Sequence, residues 1–551
     1  MGEKFTVGQY MVDRLDELGL RHLFSIAGDY SIEWVNSYVE KSRIQVIEEV
    51  SELNAGYAAD GYARLNGIGA LCVTYSAGAL CATNAIAGSY VEKVPVVLIN
   101  GAPSIKKTLT FEQAGFSSHH FISGRETDLQ VFEYITAAAV RIDSPHLAPM
   151  LIDYALTQCI TERRPVYIEL LEDMVDLECT RPSNPLKAAP VISDEGSLNQ
   201  SIAQISERLQ NATKPLIWIG VEIDRFSLHQ QAEQLIRDLK IPYVTEFLSK
   251  AILSEDDAQF AGVFDGKSSS PYVQSLVEDS DFVLALGVWL TDINDLGWAI
   301  DFNKTAFASW DTVKYGTSFD AQVSLADLVN GLIDKGLTCK AQGLPAKAAR
   351  QAPTANLTDG ITYQGFYDFI QHQIDGNTIV GADASLNYFG SILLKVGAPR
   401  GFIVQSSYSA IGYIGPAATG ISLAKQEQQR LMIFAGDGGF QMTAQCLSTQ
   451  TRFNLNPIIF VMDNGIYGVE QWLADASVFH SDKPLYNSCI LHPWNYGKLA
   501  EVFGCQGWKV HTYGELGEAI NGAKENLNSP SIIQVVVPQR SIPDNANWKE
   551  N

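Results

Sequence analysis

The sequence predicts an α/β protein with three doubly wound domains, each built on a parallel sheet covered by helices on both faces. Its 551 residues correspond to about three domains at roughly 100–200 residues each. Short apolar strands alternate with helical patterns, which is typical of parallel sheets buried on both sides. Two stretches rich in Pro, Ala, Ser and Asn, residues 179–197 and 338–360, lack any periodicity and indicate linkers.

These linkers divide the chain into segments 1–180, 190–340 and 358–551, each of ordinary domain size. The first segment opens with a helical pattern that Thr6 can cap and Gly19 can end. Its predicted strands are HLFSIAG, GALCVTY and VPVVLING. The middle segment has PLIWIGVEI, IPYVTEF and DFVLALGVWL, and the third has RLMIFAGDGG and NPIIFVMDNG.

Composition excludes several classes of protein. With 46% apolar and 18% charged residues, the chain is neither disordered nor fibrous. A net charge of −23 argues against binding to nucleic acid or to an anionic membrane surface. The eight cysteines include no CxxC pair and indicate free thiols in a reducing compartment. No apolar run is long enough for a membrane helix, so we expect a cytoplasmic protein without a nucleic-acid or membrane partner.

The strongest motif is Gly436, Asp437, Gly438 and Gly439, which lies between a predicted strand and a predicted helix, QMTAQCLSTQ. The next strand ends at Asn464, 27 residues after Asp437. Because carboxyl ends of parallel strands meet at one edge of the sheet, the two side chains can converge there. Their oxygens suit Mg²⁺, which also takes phosphate oxygens, and the glycines allow a diphosphate to approach. The alternative to a magnesium and diphosphate site is that these two segments are ordinary loops. A nicotinamide-binding site is disfavoured because the G-x-G-x-x-G motif is absent.

This unit resembles the thiamine-diphosphate motif, in which GDG is followed at a similar spacing by Asn. Further segments are similar to the pyruvate and indolepyruvate decarboxylases: AGDYSIEWVN, EVSELNAGYAADGYARLNG, TYSAGALCATNAIAGSYVEKVPVVLINGAPS, the pair His119–His120, and NGIYGVEQWL. The resemblance to this 2-oxo acid decarboxylase family covers essentially the whole chain. It implies pyrimidine-binding, middle and diphosphate-binding domains, with thiamine diphosphate and Mg²⁺ as cofactors. It also implies a homodimer or homotetramer with active sites at the subunit interface.

The resemblance assigns catalytic roles to residues whose positions alone suggest little. Glu52 on its own is a helix-start carboxylate favoured by the helix dipole; in the family, the matching glutamate binds the cofactor aminopyrimidine ring. Asp29 could be an ordinary turn residue, His119 and His120 exposed polar residues, and Glu470 a helix-surface charge. By resemblance, these four surround one pocket that holds a 2-oxo acid and supplies protons after CO₂ is lost.

The resemblance also implies contacts to the cofactor. Ser409 and Ile466 would contribute backbone carbonyls, and Ile411 would hold the cofactor bent. The expected cofactor-binding residues are Glu52, Ser409, Ile411, Gly436, Asp437, Gly438, Gly439, Asn464, Ile466, Tyr467 and Gly468. Among these, the expected metal ligands are Asp437, Asn464 and Ile466.

Departures from the family pattern bear on the substrate. Ala384 and Ser385 replace a usual Thr-Gly, and Ile293 stands where pyruvate enzymes often carry an aromatic residue. These smaller or non-aromatic residues suggest a larger substrate pocket, which favours a bulky or aromatic 2-oxo acid. Space for one more methylene group, however, contributes only about 1–3 kcal/mol of discrimination between substrates. The expected substrate pocket comprises Ile293, Ala384, Tyr388, Val469 and Leu473.

We therefore expect a carboxy-lyase that acts on a small-molecule substrate, a 2-oxo acid, and converts it into an aldehyde and CO₂. The alternative is a carboligase, which joins the acyl fragment to a second carbonyl compound and forms an acyloin. The histidine pair favours protonation and hence aldehyde release. Product analysis distinguishes the two reactions.

Overall fold

The computed structural model describes residues 4–122, 126–292, 300–316, 318–339 and 356–550. Within these ranges the chain forms three sheets flanked by helices, and most neighbouring strands are parallel. The predicted α/β class is confirmed. Each sheet falls within one of the three predicted segments, whose boundaries remain a prediction. No helix in these ranges is long and apolar enough to span a membrane.

The first sheet contains six strands, all parallel to their neighbours. The strands are β1 (His22–Ser25), β2 (Gln45–Glu48), β3 (Gly69–Thr74), β4 (Val96–Ala102), β5 (Ala138–Ile142) and β6 (Val166–Leu171). The helices are α1 (Val7–Glu17), α2 (Ile32–Trp34), α3 (Glu52–Asn66), α4 (Ala77–Cys81), α5 (Thr83–Val91), α6 (Ile105–Gln113), α7 (Thr127–Glu133) and α8 (Ala148–Glu162). The strand order is β2-β1-β3-β4-β6-β5, and β4 and β6 are buried along their whole length.

The middle sheet has seven strands and departs from a wholly parallel arrangement. The strands are β7 (Pro215–Ile219), β8 (Tyr243–Thr245), β9 (Phe260–Val263), β10 (Phe282–Leu286), β11 (Thr305–Ala308), β12 (Thr312–Tyr315) and β13 (Ser318–Ala321). The helices are α9 (Glu195–Asn211), α10 (Glu222–Arg225), α11 (His229–Leu239), α12 (Pro271–Asp279) and α13 (Leu325–Asp334). Strands β11 and β12 pair antiparallel because residues 309–311 make a turn too short for a parallel crossover. Strands β12 and β13 also pair antiparallel.

The third sheet again has six parallel strands. The strands are β14 (Thr378–Ala382), β15 (Phe402–Val404), β16 (Arg430–Gly436), β17 (Ile458–Asp463), β18 (Gln506–Val510) and β19 (Ser531–Val536). The helices are α14 (Tyr363–Gln371), α15 (Asn387–Ile392), α16 (Ile414–Ala424), α17 (Asp437–Thr443), α18 (Cys446–Arg452), α19 (Gly468–Asp475), α20 (Tyr496–Phe503) and α21 (Tyr513–Glu525). Its order, β15-β14-β16-β17-β19-β18, repeats that of the first sheet, so the two outer domains share one topology.

Helices α3 and α16 join the first and third domains through very close packing. Ser51 caps α3 by accepting a hydrogen bond from the third residue of the helix, and Gly67, with φ of 93°, ends it. A Cβ on Gly61 would lie 2.4 Å from the carbonyl oxygen of Ala417 on α16, and one on Gly420 would meet the backbone of α3. Small residues therefore let the two backbones approach to within direct contact, which places the start of α3 beside the third domain.

Candidate active site

One carboxylate and two imidazoles form a cluster beyond the carboxyl ends of β1 and β3. Asp29 Oδ2 lies 2.5 Å from His119 Nε2, and the Thr74 hydroxyl donates a 3.0 Å hydrogen bond to Asp29 Oδ1. The ring centroids of His119 and His120 are 4.7 Å apart. One ligating atom from each of the three residues lies within 4.8 Å of the others. The structure thus brings together three of the predicted catalytic residues.

Hydrogen bonds keep Asp29 charged and fix the orientation of His119. Burial acts to raise the pKa of Asp29, but the hydrogen bonds from His119 and Thr74 outweigh it, so the pKa is lowered. The ionised carboxylate accepts from Nε2–H of His119, whose Nδ1 lies 3.1 Å from the Tyr30 hydroxyl. Burial and the Asp29 charge raise the pKa of Tyr30 to about 12, so this hydroxyl keeps its proton beside Nδ1. His119 is therefore held at both ring nitrogens.

The two residues that follow Thr74 anchor the loop carrying the histidines. The ring of Tyr75 packs against Phe121, with centroids 5.5 Å apart. Ser76 donates two hydrogen bonds to Asp128, from its backbone N–H at 2.6 Å and from its hydroxyl at 2.7 Å. Ser76 has a left-handed φ of 48°, and the fully buried Asp128 satisfies its polar groups there. The turn after β3 therefore contacts Phe121, directly after the histidine pair, and Asp128 in the first turn of α7.

Glu52 is the first residue of α3 and is half-buried. Its carboxyl lies against α4, because a Cβ on Gly78 would be 3.4 Å from Glu52 Oε1. Burial raises the pKa of the Cys81 thiol, and the neighbouring Glu52 charge contributes to this. Glu52 is thus at the helix start that the sequence predicts, on the same domain as the histidine cluster.

The second part of the candidate site lies at the adjacent ends of β16 and β17. Asp437 is only 2% exposed and accepts hydrogen bonds from the backbone N–H groups of Gly438 at 2.8 Å and Gly465 at 2.7 Å. Asn464 is also buried, and its Oδ1 accepts from the N–H of Ile466 at 3.2 Å. The convergence of Asp437 and the Asn464 loop, predicted from their strand-end positions, is present in the structure.

Close packing explains the two glycines after Asp437. A Cβ on Gly438 would lie 2.4 Å from the ring of Tyr467, and one on Gly439 would lie 2.4 Å from Asp383 Oδ2. The helix also differs from the expected one. It begins at Asp437, so that the motif forms its first turn, and it is interrupted before α18 starts at Cys446.

Asp383, which sequence reasoning missed, organises the loop before α16. Its carboxylate is buried and accepts from the N–H groups of Gly412 at 2.8 Å and Ile414 at 3.3 Å. Burial raises the pKa of Asp383 to about 7, against the effect of these hydrogen bonds. The one available signal was a polar residue directly after the apolar strand β14, at the same sheet edge as Asp437.

The remaining predicted cofactor and catalytic residues lie around these strand ends. Ser409 adopts a left-handed φ of 56°, and Ile411 packs half-buried against the main core. Gly468 begins α19, and Glu470 is exposed in its first turn. The roles of these residues remain predictions.

The predicted substrate-pocket residues that the structure describes differ in burial, and their role stays a prediction. Ala384 and Tyr388 are buried, and the Tyr388 hydroxyl donates to a backbone carbonyl at 2.6 Å. Val469 packs partly buried against the core, and Leu473 is 47% exposed. Ile293 lies outside the described residues.

The two parts of the site are not connected within one chain. Among the described residues, no hydrogen bond or ion pair joins the cluster of Asp29 and His119 to Asp437, Asn464 or Glu470. The side chains of His119 and Asp29 remain 58% and 48% exposed. Within one chain, the described contacts do not bring these two groups of residues into one site.

The second half suits a magnesium-bound diphosphate. A carboxylate, an amide oxygen and the Ile466 carbonyl are the hard oxygen ligands that Mg²⁺ prefers. Burial raises the pKa of Asp437 to about 7, although the hydrogen bonds that it accepts from backbone N–H groups act to lower it. A nearby divalent cation would stabilise the charged carboxylate. The donor set and its burial therefore fit the cofactor that the sequence implies.

Comparison with protein-family models finds thiamine pyrophosphate enzyme domains along the chain. The N-terminal TPP binding domain matches residues 5–123, the central domain residues 202–327, and the C-terminal TPP binding domain residues 385–535. The order of the three models is that of the three sheets.

Curated relatives align over nearly the full length. The chain is 30% identical to an alpha-keto-acid decarboxylase of Mycolicibacterium paratuberculosis, covering 98% of this chain and 95% of the relative. It is 30% identical to a pyruvate decarboxylase of Aspergillus fumigatus, with the same coverage. It is 28% identical to a pyruvate decarboxylase of Neurospora crassa, over 97% and 94% of the two chains. The chain therefore belongs to the thiamine-diphosphate-dependent 2-oxo acid decarboxylase family and is a carboxy-lyase whose cofactor is thiamine diphosphate with Mg²⁺.

Proposed function

We propose that the protein decarboxylates a 2-oxo acid without oxidation, releases an aldehyde and CO₂, and forms each active site from two subunits. The observation that carries the proposal is the Asp29–His119 pair with His120 beside it. A substrate that has lost CO₂ must gain a proton before it leaves as an aldehyde. Imidazoles next to a carboxylate can supply a proton near neutral pH.

Each half of the site has a separate task in this proposal. Bound thiamine diphosphate supplies the electron sink for decarboxylation. Asp437, Asn464 and the Ile466 carbonyl hold the magnesium and thereby the diphosphate. Glu52 binds the aminopyrimidine ring, and its half-buried position against α4 limits access of water. The exposed Glu470 faces the substrate together with the first-domain cluster.

The proposed assembly is a homodimer or homotetramer in which the first domain of one subunit meets the third domain of another. The incomplete halves within one chain and the exposure of His119 and Asp29 support this arrangement. A test uses two variants, E52Q and D437N, at a concentration of thiamine diphosphate too low to saturate D437N, so that each alone has little activity. Co-expressed, they give mixed dimers with one intact site, so about a quarter of the sites regain activity. If each site lies within one subunit, no activity returns.

The proposed substrate is a 2-oxo acid with a bulky or aromatic side chain. Ala384, small and buried at the end of β14, supports this, together with the sequence departure at Ile293. The cytoplasm is the proposed compartment, and the eight cysteines, all free, support a reducing environment.

The primary experiment is a substrate panel with identification of products. Purified protein with thiamine diphosphate and Mg²⁺ is offered pyruvate and branched-chain, phenyl and indolyl 2-oxo acids, and products are identified by mass spectrometry against a cofactor-free control. Aldehyde from a phenyl or indolyl acid is the expected result. Acyloin as the main product would replace the decarboxylase proposal with a carboligase.

A further inference from the structure

A cationic cavity lies where the three domains meet. Its volume is about 240 Å³, and its lining includes none of the active-site residues described above. Four arginines contribute to it from all three domains: Arg64 and Arg163 from the first, Arg225 from the middle and Arg400 from the third. Such a concentration of guanidinium groups in one partly open cavity favours compensating negative charge.

Two of the arginines have carboxylate partners. Arg64 is 2.6 Å from Asp60 and 2.7 Å from Glu92. Arg400 donates to Asp224 at 2.8 Å, and its terminal nitrogens donate to backbone carbonyls at the end of α3. These two guanidinium groups are therefore engaged within the protein.

The other two arginines are less well paired. Arg225 lies 2.7 Å from Asp224 and donates to the backbone carbonyl of Glu92 at 3.1 Å. Arg225 shares Asp224 with Arg400, and burial together with the Arg64 charge lowers the pKa of Arg225. Arg163 follows α8 and makes no hydrogen bond or ion pair with the rest of the described chain; its buried Nε lacks a partner. Burial lowers the pKa of Arg163 as well. Among the described residues, three carboxylates pair with these four guanidinium groups, those of Asp60, Glu92 and Asp224, and Asp224 also pairs with His229.

We propose that this cavity binds a small oxyanion, a carboxylate or a phosphate, with Arg163 as its principal ligand. A guanidinium group pairs with two oxygens of either anion through parallel hydrogen bonds. The cavity is smaller than the roughly 300–1,000 Å³ pockets that take drug-sized ligands, so it favours an anion of few atoms. Because its walls come from all three domains, the bound anion stabilises their relative positions.

The test measures anion binding to the holoenzyme, in which thiamine diphosphate and Mg²⁺ already fill the active site. The melting temperature is followed against sodium phosphate or sodium acetate, with ionic strength held constant by sodium chloride. We expect a saturable rise for the wild-type protein with at least one anion. In R163Q the apparent Kd is expected to weaken by about tenfold or more. The control R43Q removes an exposed arginine in the same domain and should respond as the wild type does.

The responses of the melting temperature to phosphate and to acetate identify the kind of anion and test the proposal. A response to phosphate alone identifies a phosphate ligand, and a response to acetate alone identifies a carboxylate. Equal responses of R163Q and the wild type, or no response to either anion, would overturn the proposal. In chloride alone, R163Q should melt no lower than the wild type, because it removes an unpaired charge whose Nε is buried. A clearly lower melting temperature would instead show that Arg163 already has a structural partner, which contradicts the proposal.

Discussion

The carboxylate of Asp29 and Nε2 of His119 lie 2.5 Å apart although 90 residues separate them in the sequence. Because Asp29 stays ionised, it holds a proton on Nε2 and leaves Nδ1 to the Tyr30 hydroxyl. Asp29 therefore determines the tautomer and orientation of His119. This pairing is the reason for proposing that a carboxylate in an apparently ordinary turn contributes to proton transfer.

Asp29→Asn should lower kcat by about 10²–10⁴, the range typical of general acid–base groups. Asparagine keeps the size of the side chain but loses the charge that holds the imidazole. Affinity for thiamine diphosphate should change little, since the diphosphate site belongs to Asp437. Steady-state kinetics and calorimetry check both expectations. The control is D143N, which neutralises an exposed carboxylate of the same domain; unchanged turnover in D29N would contradict the assignment.

Glu52→Gln and Glu470→Gln should each lower kcat by about 10²–10⁴ while thiamine diphosphate still binds. Glutamine at position 52 keeps the helix start but removes the carboxyl that binds the aminopyrimidine ring. Glutamine at position 470 removes an exposed acid group next to the diphosphate site. Rates are measured at saturating cofactor, with binding followed separately. Near-normal turnover of E52Q with cofactor bound would refute the role of Glu52.

Asp437→Asn should weaken binding of thiamine diphosphate in the presence of Mg²⁺ by about 10–100-fold, since the loss of a group that supports a metal typically has this effect. Dialysis against a chelator should release cofactor from the wild-type protein for the same reason. Calorimetric titration with and without Mg²⁺ measures both effects. D482N, an exposed substitution in the same domain, is the control. An unchanged magnesium dependence in D437N would show that the metal is held elsewhere.

The sequence predicted the positions of those site residues that lie at the end of a strand or at the start of a helix. Asp437 and Asn464 could be placed because each directly follows an apolar strand, and adjacent parallel strands end at the same edge. Glu52 could be placed because Ser51 is a typical cap at a helix start. The histidine pair was identified by resemblance, and its contact with Asp29 depends on tertiary structure.

The missed residues act through contacts between distant segments. Asp383 is an ordinary strand-end residue until the chain returns 29 residues later and presents the N–H of Gly412 to it. Asp128 lies in the first turn of α7, where an acidic residue is common, and only the fold reveals Ser76 beside it. No periodicity or motif in the sequence predicts such pairs, because each residue is of a common type for its position in the chain.

Asp128→Asn should disturb the active site without contacting the substrate. The amide nitrogen of asparagine would replace one of the two oxygens, so it would face either the N–H of Ser76 or its hydroxyl as a second donor. Such an unsatisfied buried group costs about 1–3 kcal/mol. The resulting shift of the histidine loop should lower kcat by about 10–100-fold. Turnover, cofactor affinity and melting temperature are measured together. The control E133Q changes an exposed residue on the same helix; a lower melting temperature with full kcat would mean that Asp128 stabilises the fold only.

Glu49 should make stability depend on pH. It is buried between β2 and α18, accepts from the Thr449 hydroxyl at 2.9 Å, and has an Oε1 without a partner among the described residues. Burial raises the pKa of Glu49 from 4.5 to about 8, so over this interval the folded state keeps a proton that the unfolded chain releases. The stability that the neutral acid contributes is complete below the unfolded pKa and is lost as pH rises towards 8.

Glu49→Gln removes this titration while keeping an oxygen for Thr449. The melting temperature of E49Q relative to the wild type should therefore increase between pH 5 and pH 8, the direction set by the raised pKa. Thermal melts of the holoenzyme across this range measure the difference. E33Q, which neutralises an exposed glutamate of the same domain, should show no such trend. A constant difference between E49Q and the wild type would mean that Glu49 is already ionised in the folded protein, with water or another group compensating its charge.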